Sequence, residues 1–312
     1  MLCKRTLFFG ALAFLASTAL ADESCVNSAC AVDNPYNFTS GLSTPTPHLS
    51  DNTNPVATGA MAGAVPIATF GATCDDAALI TASTSERTIV IPSGTTCTVS
   101  NDLTLTTKTP WIVEQDALFL IDSGKAMCLH NAIIAGFYQI FYGNGAVSCL
   151  DNPNPTWWGA KGDGVADDTA AINAFVVASA GKDVFVPPGT YNTTGSGSVI
   201  VNNGTTIRCS GTHATIFRST TASPNGGQLF NLLGWDSRML SCGFSASVTQ
   251  TGGHYVALRG RNAILNDWYA ENDFNAVLMT GVLAQTLNGV LGNGSAGAIR
   301  ATQASLLRTS PV

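Results

Sequence analysis

Charge is scarce in this chain. Only 11% of its 312 residues are Asp, Glu, Lys or Arg, and the 14 basic residues never gather into a run. With a formal net charge of −6, this argues against nucleic-acid binding, which needs a basic patch. It also gives no long-range attraction for a polyanion. Beyond the N-terminal segment, no apolar run approaches the ~20 residues that cross a bilayer. No Cys-x-x-Cys pair occurs, which argues against a zinc site. The composition is not that of a disordered chain either, since 45% of residues are hydrophobic. What abounds is Gly, Thr, Ser, Asn and Ala, which suits a β-rich extracellular protein. The length leaves room for two domains of ordinary size.

The N-terminus reads as a secretion signal over residues 1–21. Lys4 and Arg5 form its positive region, Leu7 to Leu15 its apolar region, and Ala19-Leu20-Ala21 a small-x-small cleavage site. Cleavage leaves Asp22 first, discards Cys3 and leaves eight cysteines. An even number in an exported chain predicts disulfides. Neighbour order favours Cys25–Cys30, Cys74–Cys97, Cys128–Cys149 and Cys209–Cys242. Residues 22–65, rich in Asn, Ser, Thr and Pro, read as an irregular linker or extension.

The most informative stretch runs from Trp158 to Tyr191. It joins a glycine-punctuated loop (Gly159, Gly162, Gly164), a helix start at Asp167 or Asp168, a short helix, and the strand Val184-Phe185-Val186. Pro187, Pro188 and Gly189 stop that strand. Either aspartate is placed to cap the helix by accepting free amides of its first turn. Ile172, Phe175, Val176 and Ala180 give the helix one apolar face, and Gly181 can end it. Asp163, Asp167 and Asp168 would alternatively supply oxygen ligands to Ca²⁺, although capping and turn roles explain them more simply. Trp157 and Trp158 suit either burial beside the helix or stacking on a sugar ring.

A similar order occurs earlier. Phe70-Gly71-Ala72, Asp75-Asp76-Ala77-Ala78-Leu79 and Ile89-Val90-Ile91-Pro92 match Trp158-Gly159-Ala160, Asp167-Asp168-Thr169-Ala170-Ala171-Ile172 and Val184-Phe185-Val186-Pro187. This predicts two helix-plus-strand opening units, each starting a set of coils: 66–150 as a small β-helical or β-roll unit, and 151–312. Within the second, residues 198–204, 229–234, 255–260 and 276–281 are apolar runs closing on glycine. Residues 238–244 and 262–268 form a second pair of runs, 24 residues apart at their starts. Spacings of 21 to 30 residues between the closing glycines suit one turn of a β-solenoid.

The Trp158–Tyr191 stretch resembles the opening segment of the pectate-lyase superfamily, in particular its rhamnogalacturonase/epimerase-like pectate lyase family. The resemblance implies an all-β fold, a right-handed parallel β-helix with short capping helices and two coil units. The helix is then expected to act as a lid over the open apolar end of the solenoid. It further implies a polysaccharide partner, most plausibly an acidic glycan, and glycosidase or lyase chemistry with no firm cofactor beyond Ca²⁺. Only about four or five coils follow the lid, fewer than superfamily enzymes usually have, so the expectation is a minimal or truncated member.

The motifs of the catalytic members are missing. Polygalacturonase-like relatives carry Asn-Thr-Asp, a later Asp-Asp, Gly-His-Gly and Arg-x-Lys. Here Gly253-His254 is only a fragment of the third, and no Asp-Asp follows the lid. The candidate catalytic residues are therefore Asp236, Asp267, Asp273 and His254, with Glu271 the remaining acid and Arg238, Arg259 and Arg261 nearby. A glycosidase needs two carboxyl groups flanking one bond, and a lyase needs a base plus a stabiliser of developing charge. The simpler reading makes the acids solvated turn residues. A second function class remains open, a non-catalytic solenoid serving as an adhesin or tailspike-like piece. Asn37, Asn192, Asn203 and Asn293 open glycosylation sequons, which matter only in a eukaryotic secretory pathway.

Overall fold

The computed structural model describes residues 23–26, 29–32, 64–106, 109–130, 133–194, 199–222, 228–272, 276–280, 284–291 and 299–301. The signal segment, Asn37 and Asn293 lie outside them. Met1–Val56 and Ala57–Val312 are separate compact units. In the first, Glu23–Val26 and Ala29–Val32 pair antiparallel, with Cys25 opposite Cys30. The expected linker thus contains one antiparallel strand pair.

The second unit is built of parallel strands stacked into three-faced coils. In its first coil stack, Val65–Pro66, Ile89–Ile91, Trp111–Val113 and Ile133–Ile134 form one face. Thr96–Val99, Leu118–Ile121 and Phe141–Gly143 form a second, and Leu103–Thr106, Ala126–His130 and Ala146–Ser148 a third. Side chains alternate across each strand, so Ile89 and Ile91, Trp111 and Val113, and Phe119 and Ile121 point inward and are buried. Helix α1 (Asp76–Ser83) opens this stack, its N-cap Asp75 accepting the Ala78 N–H at 3.1 Å.

The second coil stack repeats the plan. Asp183–Val186, Thr206–Cys209, Arg238–Leu240 and the first half of Ala263–Ala270 form face one. Gly189–Thr193, Thr215–Ser219, Gly243–Ala246 and the second half of Ala263–Ala270 form face two. Val199–Val201, Gln228–Leu232, His254–Leu258, Val277–Met279 and Ile299–Ala301 form face three. The glycine-closed runs of the sequence are the strands of face three. Two of their glycines serve backbone contact: a Cβ on Gly260 would meet the Gly234 carbonyl oxygen at 2.0 Å, and one on Gly234 the Asn202 carbonyl carbon at 2.2 Å.

Inside the second stack an aromatic column runs through Tyr191, Phe217, Phe244 and Tyr255, with neighbouring centroids 5.8–6.2 Å apart. Full burial of each such ring contributes about 1.5–3 kcal/mol. Among the described residues, three disulfides link neighbouring segments of the stacks: Cys74–Cys97, Cys128–Cys149 and Cys209–Cys242; the side chains of Cys25 and Cys30 lie outside the described ones.

Helix α2 (Thr169–Ala178) departs from the expected lid. It buries Ile172, Phe175 and Val176, with Ala178 joining that face while Ala180 is exposed. Its neighbours are Val199–Val201 below and Ala146–Ser148 of the first stack above. It therefore seals a junction between the coil stacks. Trp158 packs against the buried clusters of both.

Candidate functional site

The glycine-rich loop before α2 folds by sinking an acid into itself. Asp163–Asp167 is a strand laid parallel to Gly189–Thr193, with a register irregularity between its ends. Asp168 is 1% exposed and stands at the N-cap of α2, yet its side chain makes no capping bond. Its carboxylate accepts the Lys161 N–H at 2.7 Å and the Gly162 N–H at 3.2 Å. Burial pushes its pKa up, against those two bonds. Asp167 serves the helix start, accepting the Thr169 N–H at 3.0 Å. Asp163 accepts the Ala166 and Val165 N–H groups at 2.8 Å each, and those bonds hold its pKa down. The three acids thus each turn toward backbone. Among the described residues, the only trio of ligand-type side chains within metal-binding distance is Cys128, His130 and Cys149, and there both sulfurs are joined in a disulfide. Trp157 is 5% exposed and donates its indole N–H to the Gly136 carbonyl at 3.0 Å, which fits the packing role.

The acids proposed from sequence as catalytic occupy corners of the coils. Asp236 has φ 56° and Asp267 has φ 51°, a left-handed conformation that Gly, Asn and Asp tolerate best. Asp236 belongs to a column of left-handed corner residues with Gly204 (φ 67°) and Asn262 (φ 58°). The Asn262 amide donates to Asp236 Oδ1 at 2.5 Å. Asp267 marks the bend where face one becomes face two, and accepts from Ser241 Oγ at 2.7 Å. A strand rise of about 3.3 Å per residue from the Asn262 level to Asp267 separates the two acids by about 15 Å. The glycosidase arrangements require about 5–9.5 Å. Asp273 lies outside the described residues. His254 begins a strand of face three opposite Gln228, and both its ring nitrogens are shielded from solvent. Arg261 lies over the exposed Trp235 ring, 5.8 Å from its centroid. Asp236, Asp267 and His254 thus stand at a corner, at a bend and at the start of a face-three strand.

Face two gathers polar groups on the side away from its core, although two of them, Asn192 and Ser245, are themselves buried. Because Tyr191, Phe217, Phe244 and Ala270 point inward, their successors Asn192, Arg218, Ser245 and Glu271 form an outward row, one per coil. Arg218 is half-buried. Its Nε donates to Asn192 Oδ1 at 2.8 Å and a terminal nitrogen donates to the Gly164 carbonyl. Both partners are neutral, so the guanidinium has no carboxylate among the described residues. By contrast, Arg208 on face one is held by both oxygens of Asp183 at 2.7 and 2.9 Å. Beyond Ser245, Tyr269 donates its hydroxyl to Glu271 Oε2 at 2.9 Å, which raises the phenol pKa. His213 stacks on Tyr269 at 4.3 Å. Sequence reasoning passed over Arg218, although a signal was present. In Thr215-Ile216-Phe217-Arg218-Ser219, period-two alternation puts Arg218 outside once Phe217 is placed inside.

Residues 154–233, about a quarter of the chain, match the family model described as rhamnogalacturonase A/epimerase, pectate lyase-like. That segment contains the loop, α2 and the first coils of face two, including Asn192 and Arg218. Neither a curated protein nor a solved structure matches the chain.

Proposed function

We propose that this is an exported β-helix protein that acts on acidic polysaccharide across face two, gripping a uronate carboxylate with Arg218. The carrying observation is the half-buried guanidinium that, among the described residues, only the neutral Asn192 and Gly164 oxygens hold. Arginine presents a planar fork that fits a carboxylate through two parallel bonds. A chain with net charge −6 gains little from its overall field, so one locally available cation matters. β-Elimination next to a uronate carboxylate needs that charge neutralised and a base at the adjacent C–H. Arg218 would meet the first need. Glu271, two coils further along the same row and about 10 Å away by strand spacing, is too distant to reach the C–H beside a carboxylate that Arg218 holds, so no base is assigned.

The test is an assay of polygalacturonate, alginate and a neutral glucan, reading bound polymer and the ultraviolet absorbance of unsaturated ends. The proposal expects retention of the acidic polymers only. Arg218→Gln should weaken it about tenfold or more, Arg218→Lys less, at unchanged melting. Glu271→Gln should leave that retention within a few-fold. Equal retention of the neutral glucan would overturn the reading. A second reading, a non-catalytic adhesin or tailspike-like solenoid, draws support from the use of Asp236 and Asp267 as corner residues. Binding by face two with no product under any condition would favour it.

A further inference from the structure

Where the last coil of the first stack meets α2, a recess of about 390 Å³ opens to solvent. Its size falls in the ordinary range for small-molecule sites, about 300–1,000 Å³. Phe141 and the partly exposed Trp158 lie in its wall with centroids 5.1 Å apart. Ala170, Ala171 and Ala174 present only small side chains from α2, which keeps the space open. Gly143 and Gly145 leave bare peptide on another side, where a Cβ would run into Ile121 at 2.2 and 2.1 Å. Tyr142, 59% exposed, and Asn144, also exposed, line it as well, with Ile121, Gln139 and Val147. Neither the Tyr142 hydroxyl nor the Asn144 amide has a hydrogen-bond partner among the described residues.

No lining residue carries a formal charge. An anionic ligand would enter this space without a counter-charge, at a desolvation cost nothing here offsets. A purely apolar ligand would leave the amide and the hydroxyl unused. Aromatic rings beside unpaired donors and acceptors suit a molecule with apolar C–H faces and a hydroxylated edge. We propose that this recess binds one neutral sugar ring, as a site separate from the uronate-gripping row on face two. It would let a glycan branch or a neutral backbone residue anchor the protein away from Arg218.

The experiment titrates the full chain with the methyl glycosides of glucose, galactose, mannose and rhamnose, with methyl galacturonate glycoside and with indole. Saturation-transfer NMR and Trp fluorescence read binding. The expected result is saturable millimolar binding of at least one neutral glycoside, weakened about tenfold in Tyr142→Ala, in line with loss of about 1.4 kcal/mol. Asn144→Ala should weaken it similarly. Tyr142 and Asn144 are exposed, so both variants should melt like the parent. Arg218→Gln should leave this binding intact, which keeps a failure here distinct from a failure of the face-two reading. The proposal is overturned if no neutral glycoside binds, if indole binds while sugars do not, or if Tyr142→Ala binds as tightly as the parent.

Discussion

The Asp168 carboxylate accepts the Lys161 backbone N–H at 2.7 Å, closing a loop of seven residues back onto the start of α2. The acid stands where a helix cap is expected, but it organises the loop that precedes the helix. Asp168→Ala would leave the Lys161 and Gly162 amides without their charged acceptor. Bonds to charged groups contribute about 1.5–3 kcal/mol each, partly offset here by relief of a buried charge. The expected loss is about 2–4 kcal/mol by urea unfolding, with any polysaccharide turnover at low temperature surviving within a few-fold. Abolished turnover in a protein that melts normally would put chemistry at the loop.

Acid dependence follows from opposite shifts in neighbouring acids. The folded pKa of Asp168 lies above its reference of 3.8. Between those values the native state holds more of that proton than the unfolded chain, so its contribution falls as pH rises through the window. Asp163 is shifted down, so its contribution is present above 3.8 and is lost as pH falls through its lower folded value. Asp168→Asn should therefore gain stability relative to the parent as pH climbs from 3.8. A parent-to-variant difference that stays flat, or that changes in the other direction, contradicts the assignment.

Corner geometry separates structural from catalytic acids. Asp236→Gly keeps the left-handed conformation available and should be close to neutral in stability. Asp236→Ala should cost about 1–2 kcal/mol, the penalty for a Cβ in that region without a local polar bond. Neither should change turnover more than a few-fold. A drop of about 10²–10⁴ in rate at normal melting would restore Asp236 as a general acid or base.

Gly260 tests how closely the coils approach. The Gly234 carbonyl leaves no room for a methyl group at this position, so Gly260→Ala must push two coils apart. We expect destabilisation of about 2–4 kcal/mol, measured by thermal melting. Gly181→Ala, where no atom lies closer than 3.9 Å but φ is +74°, should cost about 1–2 kcal/mol from conformation alone.

The disulfides should reduce in order of exposure. Cys128 and Cys149 are half-buried, whereas Cys209 is 7% and Cys242 0% exposed. Timed alkylation and mass spectrometry under mild reductant should label the first pair before the second. Replacing both Cys209 and Cys242 by Ala closes no loop across their 33-residue separation, and the chain-entropy estimate puts the loss at about 3–4 kcal/mol. Simultaneous labelling of all pairs would mean that reduction follows global unfolding.

Much of the architecture could be read in the chain because a solenoid writes its period into local sequence. The runs ending at Gly204, Gly234 and Gly260 became strands or corners of face three, and neighbour order paired Cys74 with Cys97, Cys128 with Cys149 and Cys209 with Cys242. The site was less legible. Asp236 and Asp267 were candidates beside a simpler reading as turn residues, and their left-handed φ values are a feature that residue order does not display. Arg218 stands in an ordinary alternating strand, and only stacking across coils puts it in line with Asn192, Ser245 and Glu271. The strand at Asp163–Asp167 was hidden because glycines at 162 and 164 signal a turn, while its pairing partner lies two dozen residues later.

Trp158 has consequences for how this chain comes apart. Its ring touches Phe141 of the first stack at 5.1 Å and Phe175 of α2 at 6.4 Å, so melting either stack strips packing from the other. The two stacks should then share one cooperative transition, although repeat proteins in general tend to fray coil by coil. A fragment cut at the Asn-Pro-rich stretch near residue 153 would expose this aromatic seam and be prone to self-association. Grafting either stack onto another solenoid would require moving Trp157, Trp158 and α2 with it, as a connector rather than as the end of one part.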